Sequence, residues 1–323
     1  MSTLETSTEI TRRPISGRRV RFGDLILQIV AGTAAFGVVV IVGLVAYKLI
    51  QGAKLSMSTF GFGFLTTQNT WDNVGNHFGA LNFIYGTVVC GLGALFIATP
   101  LAIGIALYLS ELAPGWVRGP ATALIETLAA IPSVIIGLWG FFVLAPFLVK
   151  EVDPALHSAL GFIPLFGPAT QGSNLFTAII VLTIMILPII SSIARELFLG
   201  VPRELKEGAL GLGMTRWEMV RGVVLPYSRS GIAAAMILGL GRAVGEAIAV
   251  LIVAGGGTVI YANLQQPGDT LAARIAAEAA GTASQYEYSS LFYLGVILLG
   301  FSLAVNLLAQ WIIRRAAKRQ GQA

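Results

Sequence analysis

Long apolar runs separated by short polar segments dominate the hydrophobic pattern of this chain. Six runs are long enough to cross about 30 Å of hydrocarbon, which takes about 20 helical residues. They lie at approximately 25–50, 84–109, 121–149, 175–199, 231–254 and 291–313. Because backbone polar groups find no water in lipid, each run is expected to be helical. The pattern therefore predicts an all-α integral membrane protein with six transmembrane helices.

The composition agrees with a chain that is embedded in lipid. Of its residues 55% are hydrophobic and 11% are charged, whereas soluble domains carry about 25% charged residues. A net charge of +5 would suggest a nucleic-acid partner in a soluble protein. Here the basic residues lie at the ends of the apolar runs. They therefore indicate membrane topology and contact with membrane lipids, not nucleic-acid binding.

The distribution of Lys and Arg predicts the orientation, since basic residues favour the cytoplasmic loops of membrane proteins. With the N-terminus inside, 16 of the 21 basic residues fall on the cytoplasmic side. Lys48, Lys54, Lys150 and Arg274 fall outside, and Arg242 lies within a span. Both termini are therefore expected in the cytoplasm of a multi-pass protein.

The segments between the runs predict the domain organisation. Residues 1–23 form a polar cytoplasmic tail that is too long for a signal peptide, and 24–323 form one transmembrane domain. Outer loops are expected at 51–80, 150–172 and 255–288. The apolar stretch 160–166 is predicted to be a short interfacial or re-entrant piece, and 270–280 a surface helix.

The loop at 200–229 contains a pattern with a possible docking role. Glu207 would suit the start of a short helix, Ala209 would fit a partner's groove, and Gly213 would end the helix. After nine further residues comes an aliphatic-x-Leu-Pro sequence, in which Leu225 and Pro226 would stop the next segment before the fifth span. The pattern resembles the cytoplasmic coupling loop of ABC-importer permeases, which contacts an ATPase. The alternative is an amphipathic linker lying on anionic lipid.

Two opposite charges lie near the middle of the fifth apolar run. Arg242 and Glu246 are four residues apart, which places them on one helical face. A charge at this depth costs at least about 2.5–3.5 kcal/mol, so it needs a partner or a wet cavity. The pair is either a structural salt bridge or the lining of a polar path. An Arg fork binds oxyanions, so the second interpretation predicts an anionic cargo.

Two residues of the third run have open roles. Glu126 is either a solvated group at the inner membrane edge or part of an inner gate. Pro132 is expected to kink the helix, either to open a carbonyl toward the path or for packing alone. The sequence has no P-loop motif, so no ATP binding is expected. His77 and His157 lie in predicted outer loops, so neither a metal nor another cofactor is expected.

Two motifs carry a more specific resemblance. LAAIPSVIIGLWG at 128–140 and GLGRAVGE at 239–246 are similar to those of the phosphate-specific permease family of ABC importers, PstC type. The resemblance implies the type I ABC-importer permease fold, a location in the bacterial plasma membrane, and transport-critical roles for Arg242 and Glu246. It also implies a PstA-type sister permease, a PstS-type phosphate-binding protein, and PstB-type ATPases that bind ATP and Mg.

Alternatives to phosphate import remain open at the level of sequence. One is a permease of the same kind for another oxyanion, such as sulfate or molybdate. The other is a secondary anion transporter or channel, in which Arg242 and Glu246 would form an ion-linked gate. A secondary transporter needs no docking loop for an ATPase, so the pattern from Glu207 to Pro226 argues against it.

Overall fold

A computed structural model of the chain describes residues 22–318 except 69–70, 280 and 283, without the side chains of 24 and 312–318. The predicted tail 1–23 therefore lies almost entirely outside the described residues. The chain divides after Lys48 into two compact units, Met1–Lys48 and Leu49–Ala323. In the described part of the first unit, the chain is an apolar helix whose side chains are mostly exposed.

Helices make up almost all of the described structure. In chain order they are α1 Phe22–Phe60, α2 Gly63–Thr66, α3 Leu81–Leu107, α4 Gly115–Ala130, α5 Ser133–Trp139, α6 Ala145–Phe147, α7 Asp153–Leu160, α8 Leu175–Leu199, α9 Arg203–Gly211, α10 Arg216–Met219, α11 Leu225–Val244, α12 Ile248–Val253, α13 Leu271–Glu278 and α14 Gln285–Lys318. Two short antiparallel strands, β1 Trp71–Asp72 and β2 His77–Phe78, pair between α2 and α3.

Six helical stretches of the described chain are long and apolar enough to cross a membrane. They are Leu25–Phe60, Leu81–Leu112, Ser133–Leu160, Leu175–Leu199, Arg216–Val244 and Gln285–Trp311. Their number confirms the predicted fold class. The third stretch begins 12 residues later than predicted, because the helix is interrupted at Pro132. The fifth begins earlier, at Arg216, and ends at Val244.

The centre of the second unit is α8, packed against α3, α11 and α12. Small side chains line these contacts and allow the backbones to approach closely. They include Ala94, Ala98 and Ala102 of α3, Ala178 of α8, and Ala235 and Ala243 of α11. At its start, α8 is capped by Asn174, whose side-chain oxygen accepts from the Thr177 N–H at 2.9 Å. This close-packed centre supports the site described below.

Four π-helical turns interrupt the helices within the described residues, and each ends two residues before a proline. They are Tyr108–Leu112, Gly140–Leu144, Leu148–Val152 and Val220–Val224, followed by Pro114, Pro146, Pro154 and Pro226. In each, the N–H before the proline donates to the carbonyl five residues earlier. Since proline has no N–H and its ring crowds the preceding turn, a wider turn accommodates it.

This arrangement corrects the expectation for Leu225 and Pro226. The two residues were expected to stop a segment before the fifth span. In the structure, α10 continues through the π-helical turn Val220–Val224 into α11, and Pro226 lies in the first turn of α11. Proline is tolerated there because the wider π-helical turn before it accommodates its ring and its missing N–H. The fifth membrane stretch therefore runs on directly from the predicted coupling loop.

Two predicted connecting elements also differ from expectation. The predicted surface helix 270–280 is α13, Leu271–Glu278, and its first four residues are buried, so it is not a surface element throughout. Residue 280 lies outside the described chain. The apolar stretch 160–166 contains the last residue of α7 and a 3-10 turn at Pro164–Phe166. Gly161 follows α7 and separates it from that turn.

Candidate functional site

The predicted fifth span is broken at its charged pair. α11 ends at Val244, α12 begins at Ile248, and the uninterrupted helix expected over 231–254 is therefore wrong. Glu246 lies in the break and is 6% exposed. Its Oε1 accepts a hydrogen bond at 3.2 Å from the N–H of Ala249, in the first turn of α12. The carboxylate thus satisfies one of the unpaired donors at the start of that helix.

Arg242 stands one turn before the break and is half exposed. Its Nη2 lies 3.6 Å from Oε2 of Glu246, and its side chain is 52% exposed. This distance is too long for a hydrogen bond, so the pair is a loose ionic contact. Beside it, Gly241 faces open space, with no atom within 4 Å of the position a Cβ would take. The guanidinium can therefore approach an anion without first leaving a tight salt bridge.

The motif of the third run packs directly behind this break. Gly137 of α5 lies so close to Ala249 that a Cβ on it would be 2.9 Å from the Ala249 Cα. A Cβ on Gly140 would be 3.0 Å from Val253 of α12. Glycine at both positions therefore lets α5 rest against α12. The motif of the third run therefore packs against the helix that follows the charged pair.

Pro132 breaks its helix instead of kinking it. Ile131 and Pro132 are both extended, with ψ of 128° and 137°. This conformation is the one favoured for a residue before proline, and it separates α4 from α5. Glu126 lies on α4 and is exposed, at the rim of a cavity of about 150 Å3 that also contacts Arg195 of α8.

The predicted coupling loop forms a short helix seated on the ends of three longer ones. α9 buries Ala209 in a cluster with residues of α3, α8 and α11, while Glu207 is exposed. The expectation that Ala209 would fit a partner's groove is therefore wrong, because its side chain faces the bundle of this chain. Gly213 has a φ of +85° and donates to the Leu210 carbonyl at 3.0 Å, as Met214 does to that of Ala209 at 3.2 Å. These two bonds form a Schellman motif, so Gly213 ends the helix as predicted.

Large apolar side chains in the same region are exposed on the surface of the chain. Leu205 and Leu210 of α9 are 46% and 43% exposed, Leu212 is 84% exposed and Trp217 is 66% exposed. An exposed apolar patch rimmed by polar residues is typical of an interaction surface. The loop therefore has one face fixed to the bundle and another available to a partner.

A partly buried ion pair ties α9 to the bundle, and sequence reasoning missed it. The Lys206 Nζ contacts Oε1 of Glu111 and donates to the Phe198 carbonyl at 2.9 Å. The Lys206 and Glu111 side chains are only 15% and 11% exposed. Glu111 and Lys206 are 95 residues apart. No local pattern in the sequence could have indicated their pairing.

A second buried charge cluster lies between α12 and α13. Arg274 places Nη2 2.9 Å from Oδ2 of Asp269 and Nη1 2.9 Å from Oε1 of Glu278. Its guanidinium also lies over the rings of Trp71 and Phe83, at 5.9 and 5.0 Å from their centroids. Burial raises the pKa of the Asp269 carboxyl to about 6, although Arg274 opposes this shift.

The Asp269 carboxyl should make stability depend on pH. Its ordinary pKa is 3.8, so between about pH 4 and 6 the folded chain binds this proton more tightly than the unfolded chain. The free energy of unfolding should therefore fall by up to about 3 kcal/mol as pH rises through that window. Asp269→Asn should lack this slope when unfolding in detergent is measured from pH 4 to 7. Parallel curves for wild type and Asp269→Asn would contradict the prediction, and Asp72→Asn, at an exposed carboxylate, is the control.

Comparison with known proteins decides the family of the chain. Residues 98–318 match the model of the family described as binding-protein-dependent transport system inner membrane component. This chain belongs to that family. It is a multi-pass inner-membrane protein, and its sequence resemblance to PstC-type permeases is confirmed by individual relatives.

Several relatives carry the name phosphate transport system permease protein PstC. The protein from Mesorhizobium japonicum is 42% identical over 99% of this chain and 100% of its own length. The one from Xylella fastidiosa strain Temecula1 is 40% identical over 98% of this chain and 97% of its own. The one from Pasteurella multocida is 41% identical over 89% and 91%.

Solved structures with a similar fold come from ABC transporters. A chain of a bacterial alginate ABC transporter, crystallised with an alginate-bound periplasmic protein, superposes with a TM-score of 0.60 at 17% identity, over 92% of this chain and 98% of that one. A chain of the inward-facing MetNI methionine ABC transporter gives 0.52 at 18% identity, over 72% and 94%. At such identities the likeness shows the fold alone, which is that of an ABC-importer permease.

Proposed function

We propose that this chain is the permease subunit of an ATP-driven importer of inorganic phosphate. The observation that carries the proposal is the half-exposed Arg242 beside the buried Glu246, at the helix break that follows the fifth membrane stretch. A fixed positive charge in a membrane-embedded break is suited to an oxyanion. Relatives of 40–42% identity that are named phosphate permeases support phosphate as that oxyanion.

The proposed path needs a second permease. The Arg242 side chain is 52% exposed within this chain, so one wall of a path through the midplane must come from elsewhere. A PstA-type sister permease would supply it, and this chain would form half of the translocation path. The transmembrane domain would then be 24–323, with both termini and α9 on the cytoplasmic side, as the distribution of basic residues predicts.

Energy would reach this chain through α9. An ATPase pair of PstB type would dock on the exposed face that includes Leu212 and Trp217, and ATP and Mg would bind there and not to this chain. A phosphate-binding protein of PstS type would deliver the cargo to the loops at 51–80 and 255–288. Closure of the ATPases would move α9, with Ala209 and Gly213 holding its geometry, and shift the bundle between two states.

Uptake by the purified complex tests the proposal directly. The chain, co-expressed with its partners and placed in liposomes with the binding protein, should accumulate labelled phosphate only when ATP is supplied. Uptake driven by an ion gradient without ATP would contradict the proposal and favour a secondary transporter. ATP-dependent uptake of sulfate or molybdate in preference to phosphate would contradict the assigned cargo.

Glu246 is expected to set the choice between phosphate and sulfate. Phosphate at neutral pH carries a proton that it can donate to the carboxylate, whereas sulfate carries none. A buried carboxylate facing an anion without a donor is costly. The amide in Glu246→Gln keeps an oxygen that can accept the hydrogen bond from the Ala249 N–H. It also adds an NH₂ group that can donate a hydrogen bond to sulfate. The preference for phosphate over sulfate should therefore fall about tenfold or more.

Competition of unlabelled sulfate against labelled phosphate uptake measures this change. Glu151→Gln, which neutralises an exposed carboxylate in the π-helical turn Leu148–Val152, should leave the preference as it is. If Glu246→Gln also leaves it unchanged, the proposed role of the Glu246 carboxylate is wrong.

A further inference from the structure

A small polar cavity between α4 and α8 contains groups that the proposed path does not use. Its volume is about 150 Å3, and its polar lining consists of Thr122, Glu126, Ser191, Ser192, Arg195 and Glu196. Two donors are buried there without a hydrogen-bond partner among the described residues, the Arg195 Nε and the Thr122 Oγ1. Buried donors without acceptors are costly, so both groups would gain from an acceptor inside this cavity.

The present partner of Arg195 is a weak one. Its Nη1 lies 2.8 Å from Oε1 of Glu196, the next residue along α8, and the Glu196 side chain is 71% exposed. Exposed pairs of this kind contribute little to stability, and neighbouring residues on a helix do not face each other. Glu126 lines the same cavity from α4 and makes no ion pair within the described chain. Its carboxylate is therefore a second acceptor for the same guanidinium.

The helix that carries Glu126 is bounded by a break at each end. The extended residues Ala113 and Pro114 precede α4, and Ile131 and Pro132 follow it. None of the residues of α4 is buried. A second cavity, of about 470 Å3, lies between α4 and α3. α4 is thus a short helix with a pivot at both ends and space on two sides.

α9 is attached to the chain next to each of the two helices that form the walls of the cavity. Lys206 contacts Glu111, which lies three residues before the Pro114 pivot of α4. The same Nζ donates a hydrogen bond to the carbonyl of Phe198, which lies one turn after Arg195 on α8. Arg216 adds a bond to the Glu111 carbonyl at 3.4 Å. A displacement of α9 would therefore act on α4 and α8 together.

We propose that Glu126 and Arg195 form a latch at the α9 end of the path, open in this structure and closed in another state of the transport cycle. On closure α4 pivots at Pro114 and Pro132, and the guanidinium of Arg195 moves from Glu196 to the Glu126 carboxylate. The latch rests on the proposed function, since it needs a cycle driven through α9. The latch goes beyond the proposed function, because it assigns α4 as the moving helix and Glu126 and Arg195 as the charges that hold α4 in its closed position.

Cross-linking of the assembled transporter tests the movement. Glu126→Cys with Arg195→Cys, in a chain whose single cysteine is removed by Cys90→Ala, reports the α4–α8 distance through a short bis-maleimide, which alkylates both thiols. Its yield should change at least about fivefold between the nucleotide-free and the ATP- and vanadate-trapped complex. The control pair uses Thr127→Cys, since Thr127 lies outside the cavity lining, and its yield should stay low.

Transport by charge variants tests the ion pair separately. Glu126→Gln and Arg195→Gln should each lower phosphate transported per ATP hydrolysed by about fivefold. The exchange Glu126→Arg with Arg195→Glu should restore it, because the pair re-forms with reversed sign. A cross-linking yield that is equal in both states, or an exchange that behaves like the single variants, would overturn the latch.

The two proposals fail in different ways. Wild-type complex without ATP-dependent phosphate uptake would contradict the proposed function, and the latch with it. Normal uptake by wild type with unchanged cross-linking would contradict the latch alone.

Discussion

Replacing Arg242 with alanine should reduce phosphate import at least about 100-fold while the transporter still assembles. Hydrogen bonds to a charged group are each worth about 1.5–3 kcal/mol, and a guanidinium fork makes two to an oxyanion. The side chain is half exposed and lies 3.6 Å from Glu246, so its loss removes little packing. Glu246 keeps its bond from the Ala249 N–H, which limits the cost of leaving the carboxylate behind.

Labelled-phosphate uptake in cells that lack the native chain measures this effect, with assembly followed by co-purification of the ATPase. Arg242→Lys should give intermediate uptake, because it keeps the charge and loses the planar fork. Arg229→Ala, at another exposed arginine of α11, should import normally. Normal import by an assembled Arg242→Ala transporter would contradict the proposed anion site.

The charged pair illustrates what spacing can predict and what it cannot. An i, i+4 separation predicts that Arg242 and Glu246 lie on the same side, and the structure has them in contact range. It does not predict the helix break at 245–247, because the residues on both sides are as apolar as those of an unbroken span. Two local signals of the break are present in the sequence. Gly245 is a poor helix former, and Glu246 lies three residues before Ala249, whose N–H donates a hydrogen bond to its carboxylate.

Pro132 shows a similar limit. A proline within an apolar run predicts a disturbance of the helix, and both a kink and a break satisfy that prediction. The break in the structure depends on the extended backbone of Ile131 and on the close seat of α5 against α12 at Gly137. The second factor is a tertiary contact between residues more than 100 positions apart, which hydropathy does not report.

The attachment of α9 to the helix bundle was the feature that the sequence predicted least well. The local sequence predicted the helix end at Gly213 from backbone requirements alone, since a residue with φ of +85° favours glycine. The seat of the helix depends instead on Lys206 meeting a glutamate from a different part of the chain. In the sequence, Lys206 is one more basic residue in a basic loop, and Glu111 is one acidic residue after an apolar run.

Lys206→Met should destabilise the chain by about 3 kcal/mol and uncouple ATP hydrolysis from transport. The change leaves the Glu111 carboxylate, 11% exposed, without its ionic partner, and a buried charge without a partner is strongly destabilising. It also removes the donor that holds the Phe198 carbonyl. α9 would remain in contact through Ala209 but would no longer pull on α3 and α8 through a polar link.

Thermal unfolding in detergent and the ratio of phosphate transported to ATP hydrolysed measure the two effects. Lys150→Met, at an exposed lysine in the π-helical turn Leu148–Val152, should change stability by less than about 0.5 kcal/mol. Stability of Lys206→Met within that margin would show that the ion pair does not hold α9.

The double variant Lys206→Met with Glu111→Leu separates stability from coupling. Replacing both members of a buried ion pair with apolar side chains of similar volume is often neutral or stabilising, so most of the lost stability should return. If the ratio of phosphate transported to ATP hydrolysed also returns to the wild-type value, α9 needs only to be held in place. Packing around Ala209 then transmits its movement. If stability returns while the ratio stays low, the polar link from Lys206 to Glu111 and Phe198 is itself the route by which α9 moves α4 and α8.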